Sequence, residues 1–206
     1  MSLVITVGRQ FGSGGRDVGK AVADLLGIPF YNKELVDMAA TKGNISAEAI
    51  KEIDEKASNS FLYSLVNGNY TMSGAPLYYE MPMNDKLFIA QSDVIRELAH
   101  KGSCVIVGRC ADYVLREEKS VDVLSIFVYG SLEYRIKRVM EAYPALSQSK
   151  VKDKIIKTDK QRRTYYDYYS DGDWGVMGNY DMCLNTEKLG IKQSAQIIAD
   201  HINRKR

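Results

Sequence analysis

Residues 8–20 read GRQFGSGGRDVGK, between an apolar run, Leu3-Val4-Ile5-Thr6-Val7, and a segment with apolar residues at Val18, Ala21, Val22 and Leu25. The run predicts a buried strand. The later spacing predicts a helix packed on a sheet. Strand, glycine-rich turn and helix together give a glycine motif its meaning. Backbone N–H groups then line a concave turn at the positive end of a helix dipole, where a phosphate fits. Four glycines (Gly8, Gly12, Gly14, Gly15) flanked by Arg9 and Arg16 exceed what a plain connector needs.

The common phosphate-loop pattern is G-x-x-x-x-G-K-[ST]. Laid on this chain, it puts Arg9 at the first glycine, Gly14 at the second, Gly15 at the lysine and Arg16 at the Ser/Thr. The lysine that bridges terminal phosphate oxygens and the hydroxyl that holds magnesium are both missing. Arg16, one residue beyond the lysine position, is expected to supply the charge as a guanidinium fork. Arg9, Gly12, Ser13, Gly14, Gly15, Arg16 and Asp17 form the expected phosphate-binding set. Ser13 and Asp17 are side chains that could help with a metal ion, and neither is assigned to it. A dinucleotide fold also needs an acidic residue at the end of the second strand. There the chain reads Phe30-Tyr31-Asn32-Lys33, which argues against a nicotinamide or flavin enzyme.

At 206 residues the chain suits one domain with a sizeable core. A net charge of +2 gives no global reason to expect nucleic acid or a membrane surface as partner. Met1-Ser2-Leu3-Val4 feeds straight into a strand, so no signal peptide is expected. Three cysteines without a C-x-x-C pair suit a reduced, cytoplasmic setting, with Cys104 and Cys183 as small buried strand residues.

Further along, helices are expected over 15–26, from Asn32 as cap through Thr41, and from Ser46 as cap to about Ala57, stapled by Ile45 and Ile50. Residues 58–84, with Gly68, Gly74, Pro76 and Pro82, read as irregular chain. A helix from about Asp85 to Gly102 follows. Strands are expected at 28–31, 103–107, 121–128 and 180–184. Helices are expected at 132–142, from Lys150 to about Tyr169, and around Ile191–Ile202. Apolar strands alternating with helices mean a mostly parallel sheet covered on both faces. Arg109 follows the second long strand at its carboxyl end, the edge where open α/β sheets bind ligands. Tyr165, Tyr166, Tyr168, Tyr169 and Trp174 are expected to pack or to meet a second subunit rather than stack on a base. The tyrosine-rich stretches permit a homodimer.

Five segments recur in a recognisable order: FGSGGRDV (11–18), IPFYNKEL (28–35), VIVGRCA (105–111), DKQR (159–162) and YDMCLNT (180–186). In these the chain resembles the cytidylate kinase-like family, a divergent branch of P-loop nucleoside monophosphate kinases. The resemblance implies an α/β P-loop three-layer sandwich. Its five-stranded parallel sheet has helices on both faces, an acceptor-binding helical insert over 32–100 and a short lid over 143–165. It implies transfer of the γ-phosphoryl of ATP, with Mg2+, to a nucleoside monophosphate, CMP or dCMP foremost. Small-molecule nucleotides would then be the partners. Where the family has Gly-Arg-Asp after the third strand, this chain has Gly108-Arg109-Cys110, so Arg109 carries over and the aspartate does not. Asp159 and Arg162 match an acceptor-contacting Asp-x-x-Arg, and Gln91 falls on the acceptor-side helix. Arg16, Arg109 and Arg162 are the expected catalytic arginines. Two other readings stay open: a nucleotide-binding module without turnover, motivated by the missing lysine and hydroxyl, and a kinase of another small acceptor, motivated by Cys110 and the 58–84 stretch.

Overall fold

The structure is a computed structural model that describes residues 1–46 and 82–205. The Ser46-capped helix and most of the irregular 58–84 stretch therefore lie outside the described residues. The chain divides into two units, Met1–Asn32 with Arg96–Arg206, and Lys33–Ile95.

Five strands of the first unit form one parallel sheet: β1 (Ser2–Arg9), β2 (Phe30–Tyr31), β3 (Cys104–Val107), β4 (Val121–Tyr129) and β5 (Met182–Asn185). Their spatial order is β2-β3-β1-β4-β5. Every residue of β1 from Leu3 to Val7 is buried, as an unbroken apolar run in a central parallel strand should be. In register, Val4–Val7 lie against Cys104–Val107 on one side and Ser2–Arg9 against Val121–Val128 on the other. Leu3, Ile5 and Val7 share a core with Val18 and Val22 of α1 (Gly15–Leu26) and with Ala195, Ile198 and Ile202 of the last helix, Thr186–Lys205. Each such aliphatic side chain contributes about 1.5–3 kcal/mol on burial. From β1 the chain moves to the β2–β3 side and later crosses to β4. The carboxyl end of β1 is thus a topological switch point, where ligands of such sheets bind.

In chain order the remaining helices are α2 (Glu34–Lys42), α3 (Met83–Lys101), α4 (Ala111–Val114), α5 (Leu132–Ala142), α6 (Gln148–Tyr169) and α7, the last helix, Thr186–Lys205. In the second unit Gly43, just after α2, lies close to Ala90 of α3. Helix α2 starts at Glu34, and Lys33 stands at its N-cap without a side-chain cap bond, instead of the expected Asn32 cap. Helix α6 starts two residues earlier than expected because the Ser147 hydroxyl caps it, accepting from Lys150 N. Ile136 and Val139 of α5 pack on Val151 and Ile155 of α6, with Phe11 of the loop against them. Strand β5 begins at Met182, not Tyr180. Tyr180 turns its ring onto Phe127, 4.9 Å between centroids, while Asp181 ties the chain to Ser125 through backbone and side chain. Among the described residues no helix is long and apolar enough to cross a membrane.

Candidate phosphate site

The loop 10–14 is held from below. The Ser13 hydroxyl is buried and donates to the carbonyls of Gln10 (2.9 Å) and Val128 (3.0 Å). Thr186 Oγ1 donates to Ser13 O at 2.6 Å. Ser13 thus builds the loop from inside. Gly12 and Gly14 both have positive φ, 80° and 84°, which curls the chain tightly, and Ser13 N between them donates back to Gln10 O at 3.3 Å. Among the described residues, the amides of Gly12, Gly14, Gly15 and Arg16 have no hydrogen-bond acceptor. The last two open α1, where no intrahelical acceptor exists.

Three arginines gather at the adjoining carboxyl edge. Arg9 ends β1, Arg109 follows β3, and Arg162 comes from α6. Arg162 Nη1 donates to Arg9 O at 2.9 Å, and its guanidinium lies 5.6 Å from the Phe11 ring centre. The Arg9 guanidinium presses against Gly108, whose φ is +77°. Arg109 and Cys110 both sit in the left-handed region, φ 60° and 52°, so the turn after β3 is sharply bent. Burial, then Arg162 and Arg109, pull the Arg9 pKa well below its ordinary value. Burial also lowers Arg162, opposed by Asp159 and reinforced by Arg109 and Arg135. Neither Arg9 nor Arg109 has a hydrogen-bonded or ion-paired side-chain partner among the described residues. Like charges crowded together, with Asp159 already engaged by Arg135, are held at a cost that an anion lowers.

The carboxylates nearby are already engaged. Asp159 accepts from Phe11 N (2.7 Å) and from Arg135 (2.5 Å), which also donates to Gly130 O and Phe11 O. Asp17 pairs with Arg138 at 2.9 Å. Asp112 accepts from the Tyr166 hydroxyl at 2.7 Å, and burial raises its pKa against that bond. Burial and Asp112 push the Tyr166 phenol up. The sequence reading missed Asp112, which lies three residues past Arg109; that spacing was the available signal.

Of the residues expected from sequence, the structure brings together Arg9, Arg109, Arg162 and the glycines of the loop, with Asp159 beneath. Arg16 is exposed on the first turn of α1, with no side-chain hydrogen bond among the described residues. Gln91 is buried on α3 in the second unit. The aromatic residues pack, as expected: Trp174 stands edge-on to Phe127 at 5.3 Å, and Tyr169 contacts Tyr165 and Tyr168. All three cysteines are free thiols; Cys104 is buried as expected, whereas Cys183, expected buried, is only half-buried. The described residues hold no group of three His, Cys, Asp or Glu side chains able to cage a metal. Magnesium binds through one or two carboxylates and the substrate's own phosphates. With Arg16 at the hydroxyl position and Asp17 on Arg138, the described residues of this unit offer no ready protein ligand set for it.

Comparison with known proteins fixes the class. The model of the cytidylate kinase-like family matches residues 4–188, and the chain belongs to that family. A cytidylate kinase from Staphylothermus marinus is 27% identical over 108 residues, 52% of this chain and 59% of that protein. The match therefore spans somewhat more than half the length of that relative. A solved structure of an uncharacterized protein from Eubacterium ventriosum is 28% identical, with a TM-score of 0.70 over 98% of each chain. The shikimate kinase of Bacteroides thetaiotaomicron shares the fold at 13% identity, with a TM-score of 0.55 over 98% of this chain and 99% of that one. The fold is that of the P-loop kinases.

Proposed function

We propose that this chain transfers the γ-phosphoryl of ATP to a nucleoside monophosphate, with CMP or dCMP the first acceptors to test and Mg2+ accompanying the nucleotide. The observation that carries this is the group Arg9, Arg109 and Arg162, which among the described residues meets no unengaged carboxylate, beside loop amides that lack acceptors among those residues. Phosphoryl transfer spreads charge over equatorial oxygens, so fixed cations and amides are the catalysts it needs. A phosphate acceptor attacks as an anion and surrenders no proton, whereas a hydroxyl acceptor needs a base. Asp17, Asp112 and Asp159 are each engaged by an arginine, a phenol or an amide, which favours the phosphate acceptor. In this reading the loop Gly12–Arg16 and Asp17 receive the donor, Arg109, Arg162, Asp159 and Gln91 face the acceptor, 32–100 forms the acceptor insert and 143–165 the lid.

Calorimetric titration with ATP–magnesium and with CMP, followed by a coupled transfer assay over the common monophosphates, tests this. Binding of both ligands and turnover with at least one monophosphate are expected. Silence toward ATP and every monophosphate overturns it. The absence of the loop lysine and hydroxyl favours one second reading, a nucleotide-binding module, under which ATP binds and no acceptor is phosphorylated.

A further inference from the structure

The missing loop lysine leaves a vacant charge, and Gly15 shows where it went. A β-carbon built on Gly15 would stand 2.5 Å from Cβ of Arg9 and 3.0 Å from its Cγ. Real β-carbons do not approach so closely, so any side chain at position 15 excludes the present path of Arg9. The Arg9 stem thus occupies the space in which a side chain at the lysine position would begin. From there it crosses the carboxyl edge of β1 and lays its guanidinium against Gly108, beside Arg109 and Arg162. A glycine at 108 is what lets it lie so close. Arg16, by contrast, is exposed on α1 and makes no side-chain hydrogen bond or ion pair among the described residues.

We infer that Arg9 is the catalytic cation of the loop: the positive charge has moved from position 15 to position 9, with Gly15 and Arg9 a reciprocal pair. This deepens the kinase reading and rests on it. In the transfer, the bond between the γ-phosphorus of ATP and the β–γ bridging oxygen breaks. Its electron pair stays on that oxygen of ADP. An anionic oxygen of the acceptor phosphate forms the new P–O bond. Arg9 stays protonated and donates N–H hydrogen bonds to the γ-phosphoryl oxygens as their charge redistributes. A guanidinium that meets that charge interacts more strongly with the transition state than with the ground state, so it acts on kcat.

The test compares wild type, Arg9→Ala, Arg9→Gly and Arg9→Gly/Gly15→Lys, reading ATP and ADP affinity by calorimetry and kcat with CMP. Arg9→Ala is expected to lose on the order of 10²–10³-fold in kcat. ADP affinity should change less than about threefold and the preference for ATP over ADP should vanish, since Arg9 meets the γ-phosphoryl alone. The lysine double variant should recover at least about tenfold over Arg9→Gly, because it restores the charge from the other end of the loop. If the lysine variant fails to fold by circular dichroism, Arg9→Lys replaces it, with a kcat between wild type and Arg9→Ala expected. Wild-type transfer with Arg9→Ala retaining its kcat overturns the inference alone. A wild type that binds ATP and phosphorylates nothing overturns the kinase reading, and the inference with it.

Discussion

At the scale of single residues, Gly108 and Arg9 separate stability from function. Position 108 has φ +77°, where an L side chain costs about 1–2 kcal/mol. A β-carbon there would fall on Arg9 Nη1, the far end of a flexible side chain that can swing away. Gly108→Ala should therefore fold, with unfolding free energy lowered by about 1–2 kcal/mol in urea titrations. It should bind ATP at least about tenfold more weakly, as losing a charge-assisted contact of about 1.5–3 kcal/mol implies. A variant with wild-type ATP affinity would show that the Arg9 guanidinium does not need this seat. The partnership was not legible in the sequence. Arg9 could be named as a phosphate ligand from its place in the loop. Arg16 looked the better substitute for the lysine because it is the next cation along the chain. That Arg9 runs through the space left by Gly15 and over Gly108 depends on a tertiary approach across 99 positions, which no local spacing encodes.

At the scale of elements, α6 ties the loop to the helical layer. Asp159 and Arg162, three apart and so on one face of the helix, both reach the segment 9–11: Asp159 accepts from Phe11 N, and Arg162 donates to Arg9 O. The Asp-x-x-Arg pattern was legible, and the resemblance gave both residues to the acceptor. The structure adds an engagement with the loop that the pattern alone could not reveal, because Arg135, the third member, comes from α5. Arg135 is nearly buried and has Asp159 as its carboxylate. Removing one partner of a buried pair strands the other charge, at a cost of about 3–5 kcal/mol. Asp159→Ala should approach that loss in denaturant titrations and weaken ATP binding as Phe11 comes untied. Asp159→Asn, which can still accept from Phe11 N, should lose clearly less stability. Equal losses in the two variants would mean that the charge, and not the amide contact, holds α6 to the loop.

At the scale of the molecule, the strands were legible because a central parallel sheet writes itself as unbroken apolar runs, as in Leu3–Val7 and Cys104–Val107. The strand order was not legible and comes from the structure alone, since apolar runs do not say which neighbours pair. Burial that reaches past the aliphatic core gives the whole fold a pH signature. Burial pushes the Cys104 thiol up to about 11 and raises those of Cys110 and Cys183. The Tyr166 and Tyr180 phenols are raised by burial and by Asp112. In every case the fold favours the protonated, neutral form. The unfolded chain releases these protons first, near pH of about 8.5 for thiols and about 10 for phenols. The native state then binds more protons than the unfolded one, and stability falls as pH rises. The stabilising share of these groups is complete below their ordinary values and is lost through the window up to the folded ones. Urea midpoints should hold near neutrality and decline progressively from about pH 8 to about pH 10.5. Tyr180→Phe keeps the ring on Phe127 and gives up the bond accepted from Gly175 N, so it should be less stable at neutral pH and show a shallower decline above about pH 10. An unchanged midpoint across that range would show that the buried thiols and phenols reach solvent in the native state, and the enclosed sheet edge around Cys110, Asp112 and Tyr180 would have to be redrawn.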